Sequence, residues 1–163
     1  MKLFSKKKDQ PDNLRPGQPA EDFTLLGTQS GEIKLSDLRG QPVILAFYPK
    51  DNTSVCSSQL ALYNEILDMF QEHNAVLLGI SVDDLDTHHA FADSLKLTFP
   101  LLSDSDPRGE VAKLFGVYDH KHELSQRALF VIDKEGVIQW SYISPPGINP
   151  GADGILNALE NLA

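Results

Sequence analysis

The chain has 163 residues, 41% hydrophobic and 23% charged, which suits one folded domain with or without a short tail. Its formal charge of −9, from 14 basic and 23 acidic residues, opposes binding to nucleic acid or an anionic membrane, since both need clustered Lys and Arg. One cysteine cannot close an intramolecular disulfide, so a secreted disulfide scaffold is excluded and a reducing compartment, taken as the cytoplasm, is expected.

Residues 1–15 are polar and carry Lys6 to Lys8, and they are read as a solvated tail before a single domain over 16–163. The opening MKLFSKKKDQPDN has no apolar stretch long enough for a signal peptide, and nothing in the chain approaches the ~20 apolar residues that span a bilayer.

Phe23 to Leu26 is predicted as a strand, Gly27 to Gly31 as a turn, and Ile33 to Leu35 as the returning strand. Ser36 to Gly40 resembles one helical turn, capped by Ser36 and stopped by Gly40. Val43 to Tyr48 is a continuous apolar run, as expected for a central strand covered on both faces. Residues 55–72 have helical spacing, with Leu60, Tyr63, Leu67 and Phe70 on one stripe.

Ala75 to Val82 is a second buried strand, and residues 86–95 read as a helix capped by Asp86 or Thr87. Phe99 to Leu102 is a short strand, and Pro107 is placed at the start of a helix that stops at Gly116. Ala128 to Asp133 and Val137 to Ile143 form a hairpin through Lys134-Glu135-Gly136. Residues 151–162 close the chain as a helix whose Ile155, Leu156 and Leu159 face the core. Strand and helix alternate through the middle of the chain, which argues an α/β domain with a central mixed sheet and helices on both faces.

Cys56 falls between the strand over 43–48 and the helix over 55–72, where Thr53 or Ser54 is the natural N-cap. Unpaired N–H groups and the positive end of the helix dipole favour a thiolate there, the nucleophilic form of cysteine. The alternative is a buried cysteine acting as a small hydrophobe, but its neighbours Asn52, Thr53, Ser54, Ser57 and Ser58 are polar.

The stretch Pro49-Lys50-Asp51-Asn52-Thr53-Ser54-Val55-Cys56 resembles the P-x-x-x-T-x-x-C signature of peroxiredoxins, and its YPKDNT wording resembles the bacterioferritin-comigratory-protein branch. Pro16 to Phe23, Leu35 to Gly40, Ser81 to Asp83, Phe99 to Asp104 and Arg127 to Asp133 follow in that family's order. The resemblance implies a thioredoxin-like fold and thiol-dependent reduction of hydrogen peroxide and organic hydroperoxides through a Cys56 sulfenic acid.

It further implies that Arg127 holds both thiolate and peroxide, that the Thr53 hydroxyl and the Val55 and Cys56 N–H groups contact the peroxide, and that Pro49 caps the pocket. No cofactor and no metal are implied, and the oligomeric state is expected to be monomer or homodimer.

Three departures stand out. Ser54-Val55 replaces the branch's Pro-Gly, Gln59 replaces a glutamate that orients the arginine, and Ala61 stands where many members carry a resolving cysteine. A one-cysteine enzyme using an external thiol (thioredoxin, glutaredoxin or a small thiol) follows, with a peroxide sensor or a non-catalytic interaction module as alternatives. Asp119 to Glu123, with His120 and His122, has the composition of a weak zinc site but reads as a solvated loop. His88-His89 is read as surface, because consecutive rings diverge around a helix.

Overall fold

A computed structural model describes residues 16–29 and 31–162. The expected tail over 1–15, with Lys6 to Lys8, lies outside the described residues, as do Ser30 of the expected 27–31 turn and the final Ala163.

The strands are β1 (Thr24–Gly27), β2 (Gly31–Lys34), β3 (Val43–Phe47), β4 (Val76–Ser81), β5 (Leu101–Ser103), β6 (Tyr118–Asp119), β7 (Leu124–Ser125), β8 (Arg127–Ile132) and β9 (Ile138–Ser144). The helices are α1 (Ser54–Glu65), α2 (Leu67–Gln71), α3 (Leu85–Leu95), α4 (Glu110–Leu114) and α5 (Asp153–Glu160), with a 3₁₀ turn at Leu35–Leu38. Seven strands form one mixed sheet in the order β2-β1-β5-β4-β3-β8-β9, and β6 and β7 make a small separate ladder. The pairs β3–β4 and β4–β5 are parallel; the others in the large sheet are antiparallel.

β3 explains how the layers form. Every one of its side chains is buried, and they alternate between two cores. Ile44 and Ala46, followed by Tyr48, face a core shared with Leu60, Tyr63 and Phe70 of α1 and α2, Phe91 of α3, and Ile155 and Leu159 of α5. Val43, Leu45 and Phe47 face the opposite core with Phe23, Val111, Phe115 and Phe130. Phe47, Phe115 and Phe130 pack at centroid separations of 5.1–5.7 Å, mostly edge to face. Fully burying each such side chain contributes about 1.5–3 kcal/mol, so this strand anchors both layers. The expected mixed sheet with helices on both faces is therefore present.

The predicted helix over 55–72 is broken. Ile66 leaves helical geometry (φ −107°, ψ 20°), dividing α1 from α2. Apolar periodicity does not register such a break, because Leu60, Tyr63 and Phe70 stay in one core across it. The α3 cap is Asp84, whose carboxylate accepts the Thr87 N–H at 2.8 Å, in place of the expected Asp86 or Thr87. Asp83, Asp84 and Asp86 are all candidates in the sequence, and only Asp84 stands in extended geometry directly before the first helical residue, Leu85.

Pro107 does not open a helix. α4 starts at Glu110, after Gly109 at φ +74°, and its Val111 and Ala112 N–H groups are bonded by the Asp104 carboxylate at 3.0 and 2.9 Å. A Cβ on Gly109 would collide with the Tyr118 ring, so the turn needs glycine for space as well as for φ. Among the described residues, no helix is long and apolar enough to cross a membrane.

Candidate active site

The register of β3 against β8 pairs Phe47 with Ala128, so the start of β8 lies at the carboxyl end of β3. That is where the chain leaves the sheet through Tyr48 and Pro49 and turns into α1. Two segments separated by 71 positions thereby meet: Arg127 donates from Nη1 to Cys56 Sγ at 3.2 Å. Arg127 is 3% exposed and Cys56 is fully enclosed.

Thr53 is the N-cap of α1, in extended geometry, and its Oγ1 accepts the Cys56 N–H at 3.3 Å. The expected cap is thus observed, and it holds the backbone of the cysteine itself. Val55 lies in the same first turn, whose leading N–H groups have no carbonyl partner within the helix. Asn52, at φ +68°, supplies the left-handed residue of the turn between Pro49 and Thr53.

The guanidinium is held on three sides. Nε and Nη2 donate to the Pro146 carbonyl at 3.2 and 2.8 Å, and Nη1 donates to Gln59 Oε1 at 2.9 Å as well as to sulfur. Pro146 is in reach because Arg127 pairs with Ser144 across the β8–β9 ladder. Gln59 Nε2 in turn donates to Tyr63 Oη at 3.1 Å, and the Tyr63 hydroxyl donates to the Gly151 carbonyl at 2.9 Å. Burial pushes the Tyr63 phenol up to about 12, which keeps it protonated as this chain of bonds requires. At position 59 the arginine therefore meets a neutral amide.

A cleft of about 350 Å³ beside this group is lined by Pro49, Arg127, Ser144 and Pro146 and by residues of the 119–126 segment, Asp119 and His122 among them. His122 Nδ1 meets Asp119 Oδ2 at 2.8 Å, and His120 packs edge-on against Tyr118. The two histidines of the 119–123 loop are thus turned to different neighbours.

His88 is not a surface residue, contrary to the expectation; only His89 is exposed. His88 Nδ1 lies 2.7 Å from Asp51 Oδ2, and Nε2 lies 2.9 Å from the Leu102 carbonyl. A carbonyl only accepts, so Nε2 carries hydrogen, and one further proton is held between Nδ1 and Asp51. Asp51 Oδ1 accepts the Tyr48 hydroxyl at 2.7 Å, and the Asp51 N–H donates to Asp83 Oδ2 at 2.8 Å. Burial, reinforced by the Asp51 carboxylate, raises Tyr48 well above the usual phenol range, so it stays a donor.

Asp51, Asp83 and His88 have metal-ligating atoms within 4.8 Å of one another. These atoms already hold protein hydrogen bonds, since Asp83 Oδ2 accepts the Ser81 hydroxyl at 2.6 Å as well as the Asp51 N–H. The cluster fastens the turn that carries Thr53. Its only sequence signal was a histidine at an inward-facing position of α3, one turn before Phe91 and Ala92.

Fold and site define a protein of the thioredoxin-like class with a single thiol paired to a buried arginine. Across residues 16–141 the chain matches the AhpC/TSA family, and it belongs to that family. It is 36% identical over 157 residues to the chloroplastic 2-Cys peroxiredoxin BAS1 of Spinacia oleracea, covering 90% of this chain but only 58% of that protein's length. It is 34% identical over 135 residues to alkyl hydroperoxide reductase E of Mycobacterium tuberculosis, covering 82% of this chain and 88% of that one. The crystal structure of peroxidoxin BcpB from Mycobacterium tuberculosis matches with a TM-score of 0.82 at 30% identity, over 92% of this chain and 99% of that one.

Proposed function

We propose that the protein is a one-cysteine, thiol-dependent peroxidase acting on hydrogen peroxide and organic hydroperoxides. The observation that carries this reading is the 3.2 Å contact between Arg127 Nη1 and Cys56 Sγ at the N-terminus of α1. A cationic donor and the leading N–H groups of a helix meet at this one sulfur. The thiolate attacks one peroxide oxygen, the O–O bond breaks, and sulfenic acid forms at Cys56 as water or an alcohol leaves. Charge moves from sulfur to the departing oxygen, which Arg127, the Thr53 hydroxyl and the Val55 N–H stabilise, while the Cys56 N–H stays with Thr53 Oγ1. Pro49 closes the cleft and limits water.

The family relationship supports both a peroxide substrate and a thiol reductant. With one cysteine in the sequence, the reductant is external: thioredoxin, glutaredoxin or a small thiol. Cys56 is fully enclosed, so the external thiol reaches the sulfur only when the site opens. The enzyme works as a monomer or homodimer in a reducing compartment such as the cytoplasm.

The test is a rapid-quench reaction of reduced protein with one equivalent of hydrogen peroxide. Loss of the Cys56 thiol within milliseconds to seconds, with a trappable sulfenic acid, is the expected result. Loss no faster than for free cysteine would overturn the reading.

A further inference from the structure

Arg127 is a buried cation whose partners, apart from the thiol, are all neutral. They are the Pro146 carbonyl and the Gln59 amide oxygen. Among the described residues no Asp or Glu forms an ion pair with it, so Cys56 Sγ is the one group bonded to Arg127 that can bring negative charge. Dipoles hold a buried cation in place but do not neutralise it.

Gln59 is fully enclosed, and its orientation is fixed by what surrounds it. Oε1 faces an arginine, which only donates, and Nε2 faces Tyr63 Oη, whose own proton goes to the Gly151 carbonyl. The amide therefore presents an uncharged acceptor to Arg127 and leaves the guanidinium charge to the sulfur.

We propose that Gln59 is a positioning residue that sets how readily Cys56 is carried past the sulfenic stage. The inference rests on the peroxidase reading above. A neutral residue at position 59 makes Arg127 favour whichever form of Cys56 is anionic: first thiolate, then sulfenate. Sulfenate sulfur is the nucleophile for a second peroxide. It attacks the distal oxygen, the O–O bond breaks, and the alkoxide or hydroxide that leaves takes up the peroxide proton. The balance is RSO⁻ + R′OOH giving RSO₂⁻ + R′OH. The sulfinate product is again an anion for Arg127 to hold. With no second cysteine in the sequence, only an external thiol competes with this step.

A carboxylate at position 59 would share the arginine's charge and weaken its hold on the sulfenate. The experiment treats wild type, Gln59→Glu and Gln59→Met with increasing hydrogen peroxide at fixed dithiothreitol. Intact mass then reports the fraction of chains with two added oxygens. Wild type should reach half-sulfinate at a peroxide concentration about tenfold or more below that needed by Gln59→Glu, as expected for a unit charge placed within a few ångströms. Gln59→Met removes the acceptor without adding charge and should stay near wild type. Equal thresholds for all three, or a Gln59→Met threshold raised as far as that of Gln59→Glu, would overturn the inference while leaving the peroxidase reading standing. Wild-type protein that takes up no oxygen at all would overturn both.

Discussion

His88 and Asp51 form a fully enclosed pair, Nδ1 to Oδ2 at 2.7 Å, directly beneath the turn that leads from β3 to Cys56. Asp51 is also tied to Tyr48 and Asp83, so three partners, Tyr48, Asp83 and His88, fix one residue of that turn.

Removing one member should therefore act on stability and on chemistry together. His88→Ala leaves the Asp51 carboxyl enclosed without its partner, which costs about 3–5 kcal/mol when a buried pair is broken. Urea unfolding should show that loss, and the rate of Cys56 oxidation should fall because Thr53 is no longer held. Asp51→Asn, which keeps a hydrogen-bonding group of the same shape, should lose less of both. A His88→Ala protein within about 1 kcal/mol of wild type would show that the pair carries little.

Cys56→Ser should abolish peroxide consumption, and Arg127→Ala should slow Cys56 oxidation by about 10²–10³-fold, the range for deleting one charge-stabilising donor. Arg127→Lys should recover only part of that rate. Lysine keeps a charge but cannot bond sulfur, Gln59 and Pro146 at once. Stopped-flow oxidation by hydrogen peroxide reads all three, and a near-normal rate for Arg127→Ala would place the arginine outside the chemistry.

Thr53 has two roles that substitution separates. Thr53→Val keeps the shape and removes the oxygen that caps the Cys56 N–H, so it should cost ~1 kcal/mol of stability. It should also slow oxidation by about tenfold or more if the hydroxyl contacts peroxide. Thr53→Ser should restore both properties. Loss of stability with an unchanged rate would leave Thr53 as a cap alone.

Asp104 gives a pH signature away from the thiol. Burial outweighs the two backbone N–H bonds from Val111 and Ala112 and raises this carboxyl from 3.8 to about 6. The native state then binds more protons than the unfolded state between those values, so stability falls as pH rises from about 4 to 6. Asp104→Asn removes that titration. The stability of wild type relative to the variant should drop across this window in urea melts. A difference that stayed constant or grew with pH would show that Asp104 ionises normally.

Much of the site was legible because it is local. The 43–48 apolar run, the polar turn and the thiol just inside a helix are contiguous, and the Thr53 cap follows from three-residue spacing. What was misread depends on distant contacts. His88 and His89 look alike in sequence, but the rotation of α3 sends one ring under the active-site turn and the other into solvent. Pro107 looked like a helix start, but Asp104 bonds the N–H groups of a helix that begins at Glu110. The break at Ile66 left no trace in the apolar pattern.

By itself, the sequence determined the two-sided central strand, the placement of Cys56 just inside a helix and the family to which the motifs belong. Short-range backbone geometry and alternating burial are properties of neighbouring residues. Tertiary structure alone decided what surrounds the thiol. The Phe47–Ala128 register brings Arg127 to Cys56, the β8–β9 hairpin brings the Pro146 carbonyl to Arg127, and the Gln59–Tyr63 pair reaches Gly151, just before α5. Each of these contacts joins residues far apart in the chain, and strand pairing and core packing fix their separation once the whole domain has folded.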